Sequence, residues 1–265
     1  MTPSTTSRNK RPNKILRVVI PLAFWLGVWQ LGALFMDWRT AGHGSLLLPG
    51  PLEVAVRLWA LMGEGPFWQA AGMSLGRIFA GFLLGAALGT LAAAATAAWA
   101  PAEWVLSPAV KVVRAVPVAS FIVLVLLWAP AAGWVPAIVA ALMVLPVLWG
   151  NVTRGVAETD PNLLELARAY RFGRGKTLAL VYIPSVRPYF ASGCATALGL
   201  AWKAGVAAEV LCLPRLAIGT RLYRAKITLE TPDLFAWTVT VVVLSFLLER
   251  ALGALLRRWG RGAAL

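Results

Sequence analysis

The chain is poor in the side chains that carry chemistry. Its 265 residues include one histidine, two cysteines and 11 acidic residues. His43 lies in a glycine-rich loop with no Cys, Asp or Glu cluster around it. Cys194 and Cys212 sit in or beside apolar sequence and have neither metal-ligand spacing nor a disulfide framework. No Ser-His pairing appears, and buried acids are too few for acid–base work, so a membrane-embedded enzyme is the reading with least support. Charge of either sign is also scarce, at 14%, against about a quarter in a soluble domain.

What replaces it is apolar: 59% of residues are hydrophobic, and the mean hydropathy is +0.73. One core cannot hide that excess, so lipid must solvate much of the surface. The expected class is an all-α integral membrane protein. The 25 Lys and Arg give a formal charge of +14. No basic face with interleaved aromatics accompanies them, which argues against a nucleic-acid partner. The bases gather instead at the ends of apolar runs, where they orient a chain in the bilayer.

Six runs are long enough to cross about 30 Å of hydrocarbon as helix: 15–36, 68–99, 105–128 with a kink at Pro117, 134–150, 178–210 and 234–256. The first could pass for a signal peptide, but no small-residue cleavage site follows it and further spans do, so it reads as a retained span. A short amphipathic helix is expected over Pro51–Met62. With the N terminus inside, seventeen bases fall on the inner side and six on the outer, which places both termini in the cytoplasm. Several tryptophans, Trp38, Trp99, Trp128, Trp134, Trp149, Trp237 and Trp259, fall near span ends, as an interfacial belt requires. The division that follows is a disordered tail at 1–14, a first span with external loop and amphipathic helix at 15–62, a core at 63–259, and a cytoplasmic tail at 260–265.

Gly81, Gly85 and Gly89 recur every four residues on one helix face. This is a smooth stripe that suits close helix packing or, alternatively, the lining of a substrate path. Phe172–Thr177 resembles a phosphate loop only in passing: Tyr170 stands where that loop needs its first glycine, and no strand precedes it. ATP binding by this chain is therefore rejected. Asp160-Pro161 supplies a helix N-cap and a proline at the first helical position. Leu163, Leu166, Ala167 and Tyr170 follow at helical spacing. A short amphipathic helix held between two spans on the cytoplasmic side is positioned to dock a soluble partner.

Glu165-Leu166-Ala167, with Pro184 nineteen residues after the glutamate, resembles the Glu-Ala-Ala loop of bacterial ABC importer permeases. That pattern has a glycine six residues after the glutamate and ends Leu-Pro. Here Arg171 takes the glycine position, with Gly173 two residues on, and Ile183 replaces the leucine. Ser74-Leu75-Gly76-Arg77, Gly81-Phe82, Val113–Pro117 and Ala208-Glu209 extend the likeness from about Leu48 to Trp259. It is nearest to permeases for nitrate, sulfonate, taurine and bicarbonate. The resemblance implies the type I importer permease fold in a bacterial inner membrane, with a coupling loop at 151–177. It further implies a homodimer, two cytoplasmic ATPase subunits that hold ATP and Mg, and an extracytoplasmic substrate-binding protein. No cofactor is expected in this chain. The expected cargo is a small anion such as a sulfonate or nitrate. The alternatives are a vitamin precursor such as a pyrimidine, or ATP-independent secondary transport, which would favour paired intramembrane acids and two related halves.

The expected coupling residues are Leu163, Glu165, Ala167, Tyr170, Gly173 and Pro184. Charges inside spans cost about 2.5–3.5 kcal/mol each at mid-membrane, so Arg77, Lys203 and Glu209 are candidates for the pathway. Arg77 has an alternative as a side chain snorkelling to the outer interface, and Lys203 as a structural lysine bonded to carbonyls or to an acid. Glu209 lies six residues beyond Lys203, about 240° around the helix, and is a poor same-face partner for it.

Overall fold

The structure is a computed structural model that describes residues 16–261. The expected tail at 1–14 and residues 262–265 lie outside the described residues. Among those described, regular structure is entirely helical. α1 (Leu16–Arg39) leads through a 3₁₀ turn (Gly44–Leu46) to α2 (Pro51–Met62) and α3 (Gly65–Ala98). α4 (Ala100–Ala115), α5 (Val118–Trp128), α6 (Val135–Ala157) and α7 (Pro161–Ala169) follow. α8 (Arg174–Thr177) passes through a π-helical turn (Leu178–Tyr182) into α9 (Ile183–Cys212), and α10 (Ile218–Ile227) and α11 (Thr231–Arg261) complete the chain.

Five of these helices are long and apolar enough to cross a membrane, with α8 to α9 counted as one. The α4–α5 pair makes a sixth crossing if taken together, although its halves meet at 109°. The run expected as one kinked span is therefore two helices at nearly a right angle. Val116, which precedes proline, is pushed to extended backbone (ψ 130°), and Pro117 is itself extended (ψ 137°).

Packing shows that this bent pair does cross. A Cβ on Gly81 would lie 2.2 Å from the Ala137 carbonyl oxygen, one on Gly85 2.5 Å from that of Ala141, and one on Gly89 2.6 Å from that of Leu145. The residue numbers rise together, so α3 and α6 run parallel. The chain leaves α3 at Ala98 and enters α6 beside Phe79, and must travel back about 28 Å at 1.5 Å per residue to do so. Only α4 and α5 lie between. α9 runs antiparallel to both: Gly205 meets Ile78 on α3, and Gly193 meets Asn151 on α6. α11 turns back again, with Trp202 Nε1 donating to Val241 O at 3.1 Å. Six crossings put the two ends of the described chain on the same side.

The glycine stripe is the seam between α3 and α6, at van der Waals contact with backbone along three turns. Gly85→Leu is expected to abolish accumulation of folded protein. Gly85→Ala is expected to cost about 1–3 kcal/mol, read as a lower melting temperature in detergent. An unchanged melt for Gly85→Ala would contradict the seam.

The apolar core joins α3, α6 and α9 with the outer ends of α2 and α11. Trp237 belongs to it, not to the interfacial belt: it is 3% exposed and its ring lies 4.9 Å from that of Phe67. Trp38, Trp99, Trp128 and Trp134 are exposed. α1 touches the bundle through its outer half, where Trp29 donates to Pro49 O and stacks on Phe235. Its inner half presents Val19, Ile20, Leu22, Phe24 and Trp25 outward. The stretch 151–177 is only partly loop, since α6 continues to Ala157.

Candidate functional site

At the end of the bundle where α3 and α6 finish, α7 rests on the π turn that begins the α9 span. Asp160 caps it by accepting from the Asn162 N–H at 2.8 Å, and Pro161 occupies the first turn. Its far end closes as a Schellman motif: Phe172 N–H donates to Ala167 O and Arg171 N–H to Arg168 O. Arg171 therefore takes the left-handed position, with φ 52°. That is the position where the resembling family has glycine, and the turn keeps its shape although arginine bears the Cβ strain. Lys176 lies over the Phe172 ring at 4.4 Å.

The expected docking face is split by the structure. Leu163, Leu166 and Tyr170 are exposed, with Tyr170 71% open, and Glu165 is exposed beside them. Ala167, at the edge of that face next to Leu164, is covered and 3% exposed. It lies in a small hollow with Leu164, Phe172, Thr177 and Tyr182, where only a small side chain lets α7 approach the π turn. That turn follows from Pro184. A proline ring collides with the carbonyl four residues back and offers no N–H to it, and the wider turn relieves both. Gly173 is the N-cap of α8 in extended conformation. Pro184 thus shapes the seat on which α7 rests.

A second feature is the open face of α9. Six of its exposed positions fall on one stripe: Ser192, Thr196, Leu200, Lys203, Ala207 and Leu211. The open faces of α1 and of α11 as far as Leu247 carry Val, Leu, Phe and Trp, such as Val242, Val243, Phe246 and Leu247, as lipid requires; exposed Glu249 and Arg250 follow on α11. Small and polar side chains with a lysine among them, in the outer part of the span, do not suit lipid. Lys203 is exposed on this stripe, and no described acid ion-pairs with it.

Glu209 is elsewhere. It is fully buried and accepts from Ser74 Oγ at 2.8 Å and from the Gly219 N–H at 3.1 Å. Ser74 Oγ in turn accepts from the Ile218 N–H at 2.9 Å. Ile218 and Gly219 open α10, so the carboxylate and hydroxyl together satisfy N–H groups that its first turn leaves free. Arg77, one turn from Ser74, donates to the carbonyls of Arg215 and Leu216 at 3.0 and 3.3 Å. It braces a loop in which Leu213 and Leu216 both have φ 52°. The structure brings Arg77 and Glu209 to one end of α9 and leaves Lys203 apart from them.

Sequence reasoning missed α10 and its anchor. It also missed the bidentate pair of Arg57 and Asp233, which ties α2 to α11; that hydrogen bond raises the Arg57 pKa. Partners 135 and 176 positions apart leave no local signal. Among the described residues no group of His, Cys, Asp and Glu could hold a metal ion.

Known proteins bear on this arrangement. Residues 85–261 match the family described as binding-protein-dependent transport system inner membrane component. The riboflavin transport system permease protein RibX of Chloroflexus aurantiacus is 29% identical, over 92% of this chain and 90% of its own length. The taurine transport system permease protein TauC of Escherichia coli is 25% identical, over 88% of each chain. The bicarbonate transport system permease protein CmpB of Synechococcus elongatus is 28% identical, over 93% and 90%. A crystal structure of an amino acid ABC transporter with histidines shares the fold, with a TM-score of 0.57 at 17% identity, over 71% of this chain and 90% of that one. The chain belongs to the binding-protein-dependent transport system inner membrane components, and it is the membrane-spanning permease subunit of an ABC importer.

Proposed function

We propose that this permease works as a homodimer with two cytoplasmic ATPase subunits and an extracytoplasmic binding protein, and that α7 carries the coupling. ATP and Mg sit on the ATPase subunits, and no hydrolysis occurs on this chain. The observation that carries the reading is the free face of α7: Leu163, Leu166 and Tyr170, exposed together, on a helix capped at both ends and seated on the π turn, with Glu165 exposed on another side of the same helix. Closure of two ATPase subunits pushes this helix, and α7 passes the motion to α9 through Ala167 and the Pro184 turn. Family membership replaces the secondary-transport reading. Chain division follows the same logic: 15–62 is an accessory first span and outer helix, and 63–259 is the permease core, whose last helix continues to Arg261.

The open stripe of α9 lines the path, with Lys203 as its charge. The cargo carries an anionic group that the ammonium attracts in a poorly solvated site; the taurine and bicarbonate relatives fit such a cargo. Arg77 and Glu209 hold the outer end of the path in shape. Gly81, Gly85 and Gly89 keep α3 and α6 together as α9 moves.

Orientation follows from the bases, which are densest at the α7 end. Cysteine substitution at Arg258 and Arg221, probed with membrane-impermeant thiol reagents, is expected to place Arg258 inside and Arg221 outside. Both residues on one side would contradict the arrangement.

A further inference from the structure

A second exposed charge, Glu249 of α11, lies against the edge of the open stripe at Gly199, one turn from Lys203. Leu198 of α9 and Leu248 of α11 belong to the same core cluster. One residue further along each helix, Gly199 and Glu249 share a flank of that contact: a Cβ on Gly199 would lie 3.5 Å from Glu249 Oε1. Lys203 is one turn beyond Gly199 on the same flank. Side chains lean toward the N terminus of their own helix. Because α9 and α11 are antiparallel, Lys203 leans toward the level of Gly199 from one side of it and Glu249 from the other. Glycine leaves the floor between them open. Both charged residues are exposed, and neither ion-pairs with any described residue.

We infer that Lys203 and Glu249 are the two walls of one site for a small zwitterion, whose anionic group faces the Lys203 ammonium and whose own ammonium faces Glu249. A simple anion gains from Lys203 and is repelled by Glu249, and a simple cation meets the reverse. A molecule carrying both charges a few bonds apart gains from each wall. This inference rests on the reading that the open stripe of α9 lines the path, and it narrows the cargo from an anion to a zwitterion.

The test uses the permease with its ATPase subunits in lipid nanodiscs. Binding of radiolabelled taurine, glycine and β-alanine is compared with ethanesulfonate, acetate and propionate, which lack the amine. Wild type is expected to prefer each zwitterion over its amine-free partner by about tenfold or more. Glu249→Gln is expected to erase that preference, and Lys203→Met to weaken every probe. The exchange Lys203→Glu with Glu249→Lys is expected to restore zwitterion binding, which a misfolded site would not do. A preference unchanged in Glu249→Gln, failure of the exchange to restore binding, or no zwitterion bound at millimolar concentration would overturn the proposal. A separate measurement guards the reading beneath it. Ala207→Cys on the same stripe should react with a water-soluble thiol reagent; no reaction would overturn the path itself, whereas reaction with an unchanged Glu249→Gln preference overturns the zwitterion alone.

Discussion

Tyr170→Asp and Leu166→Asp are expected to leave the permease folded at wild-type levels but to lose its ATPase subunit on purification, whereas Ala167→Asp is expected to lose the permease itself. The two outer residues lie on the free face of α7, so an added carboxylate stays in water until a partner arrives. It must then be desolvated in an apolar contact, which at a central interface position costs about 2 kcal/mol or more and weakens binding at least thirtyfold. Ala167 is 3% exposed, against Phe172 and Tyr182. A carboxylate there is buried without a partner, at a cost of about 3–5 kcal/mol, and α7 comes off its seat. Membrane yield, ATPase recovery and uptake are to be measured for all three. Full recovery and uptake in Tyr170→Asp and Leu166→Asp would remove α7 from the coupling path.

Glu209→Leu is expected to lower stability by about 2–5 kcal/mol, because it strips the Gly219 N–H and the Ser74 hydroxyl of their buried acceptor. Glu209→Gln keeps one acceptor oxygen and is expected to cost less than half as much. With the anchor gone, α10 loosens from the bundle while α3, α6 and α9 stay packed, so Arg221→Cys on α10 should label faster in the Leu variant. A Glu209→Leu protein with a normal melt and normal labelling, but no uptake, would make Glu209 a residue of the path and not an anchor.

The spans were legible because a run of some twenty apolar residues is a one-dimensional property. So was the start of α7, where Asp160 and Pro161 act on the backbone within two residues of themselves. Orientation of the faces was not legible. In a protein solvated by lipid, buried and outward faces are both apolar, so periodicity cannot tell Ala167 from Leu166, or buried Trp237 from exposed Trp134. The glycine stripe gave its own spacing but not its partner, since what it meets, the Ala137, Ala141 and Leu145 backbone, belongs to a helix some fifty-six positions on. Lys203 stood out as a charge within an apolar run. Glu249, twelve residues before the end of α11, has no local signal that marks it out; only folding sets it beside Gly199. Pro117 announced a bend, but its size depends on how α5 must climb back beside α6.

Transport by the purified subunit with its ATPase partners in proteoliposomes tests the proposed work of this chain most directly. With binding protein and labelled substrate on the α10 side, uptake is expected only when ATP is supplied on the α7 side, and none should follow from an ion gradient alone. Uptake driven by a gradient in the absence of the ATPase subunits would contradict it.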